Sequence, residues 1–177
     1  PVIIYNEHIS EKGTELLNQV KKEGMEGIIA KNAHSTYESG KRSDRWQKFK
    51  LDNNQEALIC GFTKPAGSRK YFGSLVLGMY EGKTLRYIGN VGTGFNEETL
   101  KDLHAKLLEL KMDNKPLSEK TRNEKSTTWV KPELVCEVNY SEWTQDKQLR
   151  HPVFKGLRID KNPDEIKSEI LNHFKGK

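Results

Sequence analysis

The chain has 177 residues, of which 34% are hydrophobic and 31% are charged, and its formal net charge is +5 at pH 7. This length allows one domain, or a partial domain followed by a small complete one, with a modest core and a strongly solvated surface. No apolar run approaches the ~20 residues that span a bilayer and no signal-peptide segment opens the chain, so we expect neither a membrane protein nor an exported one. The positive charge favours a polyanionic partner without requiring one.

The first part of the chain predicts a strand, a helix and two further strands. The predicted elements are a helix over residues 12–23 and strands over residues 2–5, 26–31 and 45–50. A polar break at residues 52–55 follows and predicts a domain boundary. We therefore expect one domain over residues 1–52 and a second over residues 53–177.

The second part predicts a small barrel. The predicted strands cover residues 56–62, 72–80, 84–91, 134–140 and 149–155. Asn96 is expected to cap a helix with leucines at helical spacing, and Asn162 a shorter one near the C-terminus. Residues 112–131 lack apolar periodicity and predict a long surface loop. Three strands, a helix and two strands is the element order of a five-stranded oligonucleotide-binding (OB) barrel, with one helix between strands 3 and 4.

The cysteine usage indicates a reducing compartment. The chain has two cysteines, Cys60 and Cys136, each inside an apolar strand-like run. A disulfide framework is not expected from two such residues, so the sequence predicts buried free thiols and a cytoplasmic protein.

The strand over residues 45–50 crowds two lysines on one face. Alternate residues of a strand share a face, so Trp46, Lys48 and Lys50 point one way. Two ammonium groups side by side repel each other, and an anion such as a nucleotide phosphate between them would relieve that repulsion. The alternative is a solvated edge strand whose lysines prevent aggregation and bind nothing.

Three segments of the chain resemble motifs of the covalent nucleotidyltransferases, and among these the ATP-dependent DNA ligases. Glu26-Gly27, two aliphatic residues and Lys31 resemble motif IV, and Trp46-x-Lys48-x-Lys50 resembles motif V. Arg158-x-Asp160-Lys161, within residues 150–161, resembles motif VI. Residues 56–75 look most like the ligase domain of bacterial ligase D, the end-joining repair enzyme. The resemblance covers almost the whole chain.

The resemblance implies roles for individual residues. Lys48 and Lys50 would be catalytic residues that contact the α-phosphate of ATP, and Lys31 would also bind the nucleotide. Glu26 would take part in catalysis by holding Mg²⁺. Arg158, Asp160 and Lys161 match the motif VI positions that contact the outgoing pyrophosphate, with Arg158 and Lys161 as the expected nucleotide contacts and a solvated salt-bridge cluster as the alternative. Lys41 and Arg42, in the basic connection before motif V, are expected contacts to DNA phosphates, with a solvated basic loop as the alternative. The resemblance implies two kinds of partner, namely nicked or broken double-stranded DNA and the other domains of a parent ligase. It also implies a monomeric bacterial protein that is associated with the nucleoid.

One departure from the family pattern shapes this expectation. The family's nucleophile is a lysine in a Lys-x-Asp-Gly motif, and that tetrapeptide does not occur in the 177 residues. We therefore expect a C-terminal fragment of a ligase. Residues 1–52 would be the end of a nucleotidyltransferase domain, and residues 53–177 would form an OB domain. The expected fold class of the whole fragment is α+β and mostly β. The fragment alone would not form the lysyl-AMP adduct. A non-catalytic OB-fold nucleic-acid-binding module, and a capping or RNA-ligating nucleotidyltransferase, remain alternatives.

Overall fold

The computed structural model describes residues 8–23, 25–36, 38–41, 43–51 and 53–166. The chain forms two compact units, residues 1–52 and 53–177. The strand predicted over residues 2–5, the predicted DNA contact Arg42 and the part of the predicted C-terminal helix beyond residue 166 lie outside the described residues.

The first unit contains a helix and a two-stranded hairpin. Helix α1 spans Gly13–Lys22 and buries Val20, and strands β1 (Gly27–Lys31) and β2 (Trp46–Lys50) pair antiparallel. The predicted helix and both predicted strands are confirmed to within one residue at each end. Gly27 begins β1 with φ +143°, and a Cβ there would overlap the backbone carbonyl oxygen of Phe49. Only glycine permits this close approach of the two strands.

Within its described residues, the second unit is a seven-stranded sheet with one α-helix. Its strands are β3 (Asn53–Thr63), β4 (Leu75–Glu81), β5 (Thr84–Val91), β6 (Lys111–Met112), β7 (Thr127–Val130), β8 (Val135–Tyr140) and β9 (Val153–Leu157). Helix α2 (Glu97–Glu109) lies between β5 and β6, and short 3₁₀ helices cover Glu124–Ser126 and Pro163–Glu165. The fold is mixed α/β and mostly strand, which confirms the predicted fold class.

Strand β3 is the centre of this sheet. Along one edge it pairs with β4, and along the other with β7 near its C-terminal end and with β8 over Asn53 to Leu58. The two ends of the sheet also meet: the Leu149 amide donates to the Ile88 carbonyl at 2.7 Å, and the Phe154 amide donates to the Thr93 carbonyl at 2.9 Å. The sheet therefore curls back on itself as an OB-like barrel does.

The core of this unit is formed mainly by strand residues, and α2 contributes to it. The residues of α2 that are buried are Leu103 and Leu107, and the Asn96 side chain accepts a hydrogen bond from the Thr99 amide at 2.7 Å. The predicted cap and apolar stripe of this helix are thus confirmed. Both cysteines are buried and free, as predicted. Burial raises the pKa of Cys136 to about 12 and that of Cys60 as well, so both thiols stay protonated at neutral pH.

The structure differs from the sequence predictions in the number of strands and in some strand bounds. Strand β3 begins at Asn53, within the predicted polar break, and β4 begins at Leu75 instead of residue 72. The unit has seven strands among its described residues rather than the predicted five, because residues 112–131 contribute β7 and part of β6 and bury Leu117 and Val130. The last strand begins at Val153 instead of residue 149. Pro152 lacks a backbone N–H and restricts the residue before it, and His151 adopts φ +50°, so regular pairing starts only after them.

Within the described residues, no helix has both the length and the apolar character needed to cross a membrane.

Candidate functional site

The hairpin of the first unit brings Glu26, Lys48 and Lys50 together. Glu26 directly precedes β1, and the register places Gly27 opposite Lys50 and Ile29 opposite Lys48. Lys48 Nζ lies 2.8 Å from Glu26 Oε1, and Lys50 Nζ lies 3.6 Å from the same oxygen. We call these three residues the lysine–glutamate cluster.

The cluster is open to solvent and carries an excess positive charge. Its three side chains are 49% to 51% exposed. The pKa of Glu26 is lowered, first by the hydrogen bond from Lys48, then by the charge of Lys48 and, more weakly, by Lys50. One carboxylate therefore faces two ammonium groups at neutral pH, which leaves one positive charge in excess. The arrangement can accept an anion without losing any of its own contacts.

Lys31 lies on the same face of the hairpin as the two lysines of the cluster. It is opposite Trp46 in the register, and alternate residues of paired strands share a face. Its Nζ lies 4.2 Å from the centroid of the Trp46 ring, a cation–π contact. The indole thus holds this ammonium group on the lysine-bearing face.

The predicted DNA contact Lys41 is not part of the cluster. Its side chain is 74% exposed and its Nζ lies 3.9 Å from a carboxylate oxygen of Glu38, which also pairs with Arg45 at 3.6 Å. Such exposed pairs contribute little to stability.

The fit of Mg²⁺ depends on Glu26 alone. Among the described residues, no group of three or more His, Cys, Asp or Glu side chains is assembled that would hold a metal ion. Mg²⁺ commonly binds proteins through one or two carboxylates and completes its shell with water and substrate phosphates. Both lysine contacts fall on Oε1 of Glu26, so its second oxygen suits such a one-carboxylate site.

The second unit brings the predicted motif VI residues Arg158 and Lys161 together with three carboxylates. Arg158 Nε and Nη2 donate to the two Asp160 carboxylate oxygens at 2.9 and 2.7 Å. Its Nη1 lies 2.6 Å from Glu56 Oε1 and 3.3 Å from Glu137 Oε2. Lys161 Nζ lies 3.6 Å from the other oxygen of Glu56. We call these five residues the arginine–carboxylate cluster.

These contacts shift the ionisation of the paired groups. The hydrogen bond from Arg158 lowers the pKa of Asp160 to about 2, and that same pairing raises the pKa of Arg158. All the charged groups of the pair are therefore ionised throughout the physiological range.

Sequence reasoning found Arg158, Asp160 and Lys161 but missed Glu56 and Glu137. The two glutamates are directly opposite each other on β3 and β8. Each lies in a predicted strand, but they are 81 positions apart in the chain, so only the strand register brings them into contact with Arg158.

Comparison with known proteins assigns the chain to a family. Residues 68–161 match the family model described as the ATP-dependent DNA ligase C-terminal region, and residues 5–50 match that of the ATP-dependent DNA ligase domain. The first match covers more than half of the chain. The chain therefore belongs to the ATP-dependent DNA ligase family.

Particular relatives are proteins named LigD. The chain is 41% identical over 167 residues to the multifunctional non-homologous end joining protein LigD of Mycolicibacterium smegmatis, covering 93% of this chain but 22% of that protein. It matches the crystal structure of the ligase domain of M. tuberculosis LigD with a TM-score of 0.64 and 39% identity, over 89% of this chain and 52% of that one. A mycobacterial DNA ligase D complexed with ATP and MES matches with a TM-score of 0.60 and 40% identity, over 89% and 51% of the two chains.

Proposed function

We propose that this chain is part of an ATP-dependent DNA ligase, which joins nicks or breaks in double-stranded DNA during end-joining repair. Family membership and the similarity to proteins named LigD support the class of reaction. The chain spans about a fifth of the length of those curated relatives. On this proposal residues 1–52 belong to a nucleotidyltransferase domain and residues 53–177 form an OB domain.

The lysine–glutamate cluster supplies the chemistry that adenylyl transfer needs. Ligation moves an adenylyl group from ATP to a lysine, then to a DNA 5′-phosphate, from which a 3′-hydroxyl displaces it. Each step passes through a crowded anionic phosphorus centre, which positioned cations stabilise. Lys48 and Lys50 contact the α-phosphate in all three steps, and Lys31 adds a third cation on the same face. No Lys-x-Asp-Gly motif occurs among the 177 residues, so the adenylated lysine is not one of them.

Glu26 holds Mg²⁺ in this proposal. When bound, the ion would neutralise charge on the phosphates of ATP. The Glu26 carboxylate is ionised at neutral pH, and the hydrogen bond and charge of Lys48 lower its pKa further.

DNA and polyphosphate contacts are assigned to other residues. Lys41 and Arg42 contact DNA phosphates, which position the duplex without reading its sequence. Arg158 and Lys161 contact the pyrophosphate that leaves in the first transfer. Work on chromosomal DNA implies a location at the bacterial nucleoid.

The observation that carries the proposal is the convergence of two ammonium groups on one oxygen of Glu26, within a hairpin that the DNA ligase family model matches. A solvated edge strand that keeps its lysines apart to deter aggregation does not require this convergence.

A chimera tests the proposal. Residues 1–177 would replace the matching segment of the M. tuberculosis LigD ligase domain, and the chimera would be incubated with α-labelled ATP and a nicked duplex. We expect covalent labelling and sealing of the nick, whereas the 177-residue chain alone takes no label. Labelling by GTP in place of ATP would favour a capping enzyme. DNA binding by a chimera that takes no label would favour a non-catalytic binding module.

A further inference from the structure

We propose that Glu56 and Glu137 are positioning residues that hold Arg158 and Lys161 in an ion-pair latch, which the polyphosphate of a nucleotide must displace. This inference rests on the proposed function, which assigns polyphosphate contacts to those two cations. It concerns two residues that lie outside the three ligase motifs. Whereas the cations attract a polyphosphate, these two carboxylates would weaken its binding.

The strand register explains why a cation lies between the glutamates. Glu56 on β3 is directly opposite Glu137 on β8, and like charges at directly opposed positions of antiparallel strands repel. Arg158 Nη1 lies 2.6 Å from Glu56 and 3.3 Å from Glu137 and so neutralises the repulsion. The Arg158 amide also donates to the Val135 carbonyl at 2.8 Å, which fixes its backbone beside the start of β8.

The guanidinium group has little hydrogen-bonding capacity left for a ligand. It has five N–H donors. Nε, Nη1 and Nη2 of Arg158 are all engaged by carboxylates, with Asp160 bound in bidentate fashion. The Arg158 side chain is 30% exposed, so these contacts are screened less than those of a fully solvated pair. A phosphate that binds Arg158 through two N–H groups must therefore replace at least one carboxylate, because four of the five donors face carboxylates.

Glu56 is the residue that links both cations. One of its oxygens contacts Arg158 and the other lies 3.6 Å from Lys161 Nζ. The cluster contains three carboxylates and two cations, which leaves one negative charge in excess and disfavours an approaching polyanion. Replacing Glu56 with glutamine removes one ion pair from Arg158 and one from Lys161. It also removes the excess negative charge of the cluster, and the shape of the side chain stays the same.

Binding of inorganic tripolyphosphate to the 177-residue chain tests the latch. Calorimetry would give the dissociation constant, and the ¹⁵N resonance of Arg158 Nε would report contact at that group. We expect E56Q to bind tripolyphosphate about 3- to 10-fold more tightly than the unmodified chain, in line with the loss of a competing charge-assisted contact. E137Q is expected to act in the same direction but less, since its contact with Arg158 is longer.

Glu165 offers a matched control. It lines the same cavity as Glu56, Glu137 and Arg158. Within the part of the chain that the structure describes, Glu165 forms no ion pair with Arg158 or Lys161. E165Q makes the same change in net charge, so we expect it to change the affinity less than about 2-fold. Tighter binding by E56Q with a shift of the Arg158 Nε resonance supports the latch. Binding by E56Q that is equal to or weaker than that of E165Q overturns it.

A second measurement separates the latch from the proposed function. In the chimera, E56Q should lower the KM for ATP in the labelling reaction more than it changes kcat, whereas a merely structural role would lower both activity and thermal stability. If the chimera is inactive while E56Q still tightens tripolyphosphate binding, the ligase proposal fails and the latch stands. If the chimera is active while E56Q leaves both the affinity and the KM unchanged, the latch fails and the ligase proposal stands.

Discussion

Truncation of Leu117 tests whether the segment between β6 and β7 belongs to the core of the second unit. Leu117 is 4% exposed, although it lies in a stretch without apolar periodicity. A Cβ placed on Gly78 of β4 would lie 3.0 Å from its Cδ2, so the leucine packs closely on the sheet. The neighbouring Glu119 carboxylate accepts a hydrogen bond from the Tyr87 amide at 2.7 Å and pairs with Arg86 at 2.6 Å.

The cost of Leu117→Ala follows from this burial. The substitution removes three carbon groups, worth about 0.8 kcal/mol each in transfer free energy, or about 2.4 kcal/mol. A cavity that collapses only in part adds to this, so we expect the free energy of unfolding to fall by about 2.5–4 kcal/mol. The Tyr87 amide should also exchange faster with solvent, because its carboxylate partner is on the same segment as the leucine.

Urea denaturation and amide hydrogen exchange provide the assay. Leu108→Ala is the matched control, because Leu108 is 50% exposed on α2 and alanine is a better helix former. We expect that control to change the free energy of unfolding by less than about 0.5 kcal/mol. Equal effects of the two substitutions, with unchanged exchange at Tyr87, would refute the reasoning and make the segment a surface loop after all.

Three further predictions concern the clusters. In the chimera, Lys50→Ala should slow adenylyl transfer by about 100-fold or more, because it removes a contact to the transition state. Lys41→Ala should slow the transfer far less. Equal losses would contradict the assignment of the phosphate site to the hairpin face. Glu26→Gln should raise the Mg²⁺ concentration that gives half-maximal labelling several-fold, and an unchanged magnesium dependence would exclude Glu26 as the ligand. The Asp160 carboxyl should titrate by NMR with a pKa of about 2 and return toward 3.8 in Arg158→Met. Because its folded-state pKa is the lower one, its contribution to stability is present above pH ~4 and lost as the pH falls toward 2; a titration near 3.8 in the unmodified chain would contradict the ion pair.

The elements that the sequence predicted well are those whose signals are local. Helix α2 has its cap at Asn96 and its buried leucines at helical spacing, and β1 and β2 are short runs bounded by polar turns. The lysine–glutamate cluster follows from the same local information. Once the hairpin forms, strand alternation places Lys48 and Lys50 on one face, and pairing with β1 brings Glu26 beside them.

The features that the sequence did not predict depend on long-range pairing. Strand β6 has two residues and β7 has four, which is too short for a clear alternation. They form because the C-terminal end of β3 offers an edge that β7 can pair with. Glu56 and Glu137 illustrate the same limit, since each is an ordinary polar strand position until the register sets them on either side of Arg158.

The two clusters differ in the sign of their excess charge, and this difference predicts opposite responses to neutralisation. The lysine–glutamate cluster has two cations and one carboxylate, so it can accept a phosphate directly. The arginine–carboxylate cluster has two cations and three carboxylates, so a phosphate there must first displace an acidic partner. Replacing Glu56 should therefore strengthen polyphosphate binding, whereas replacing Lys48 should weaken it. Because added salt screens attraction and repulsion alike, the two effects should both shrink as ionic strength rises, and each should keep its sign.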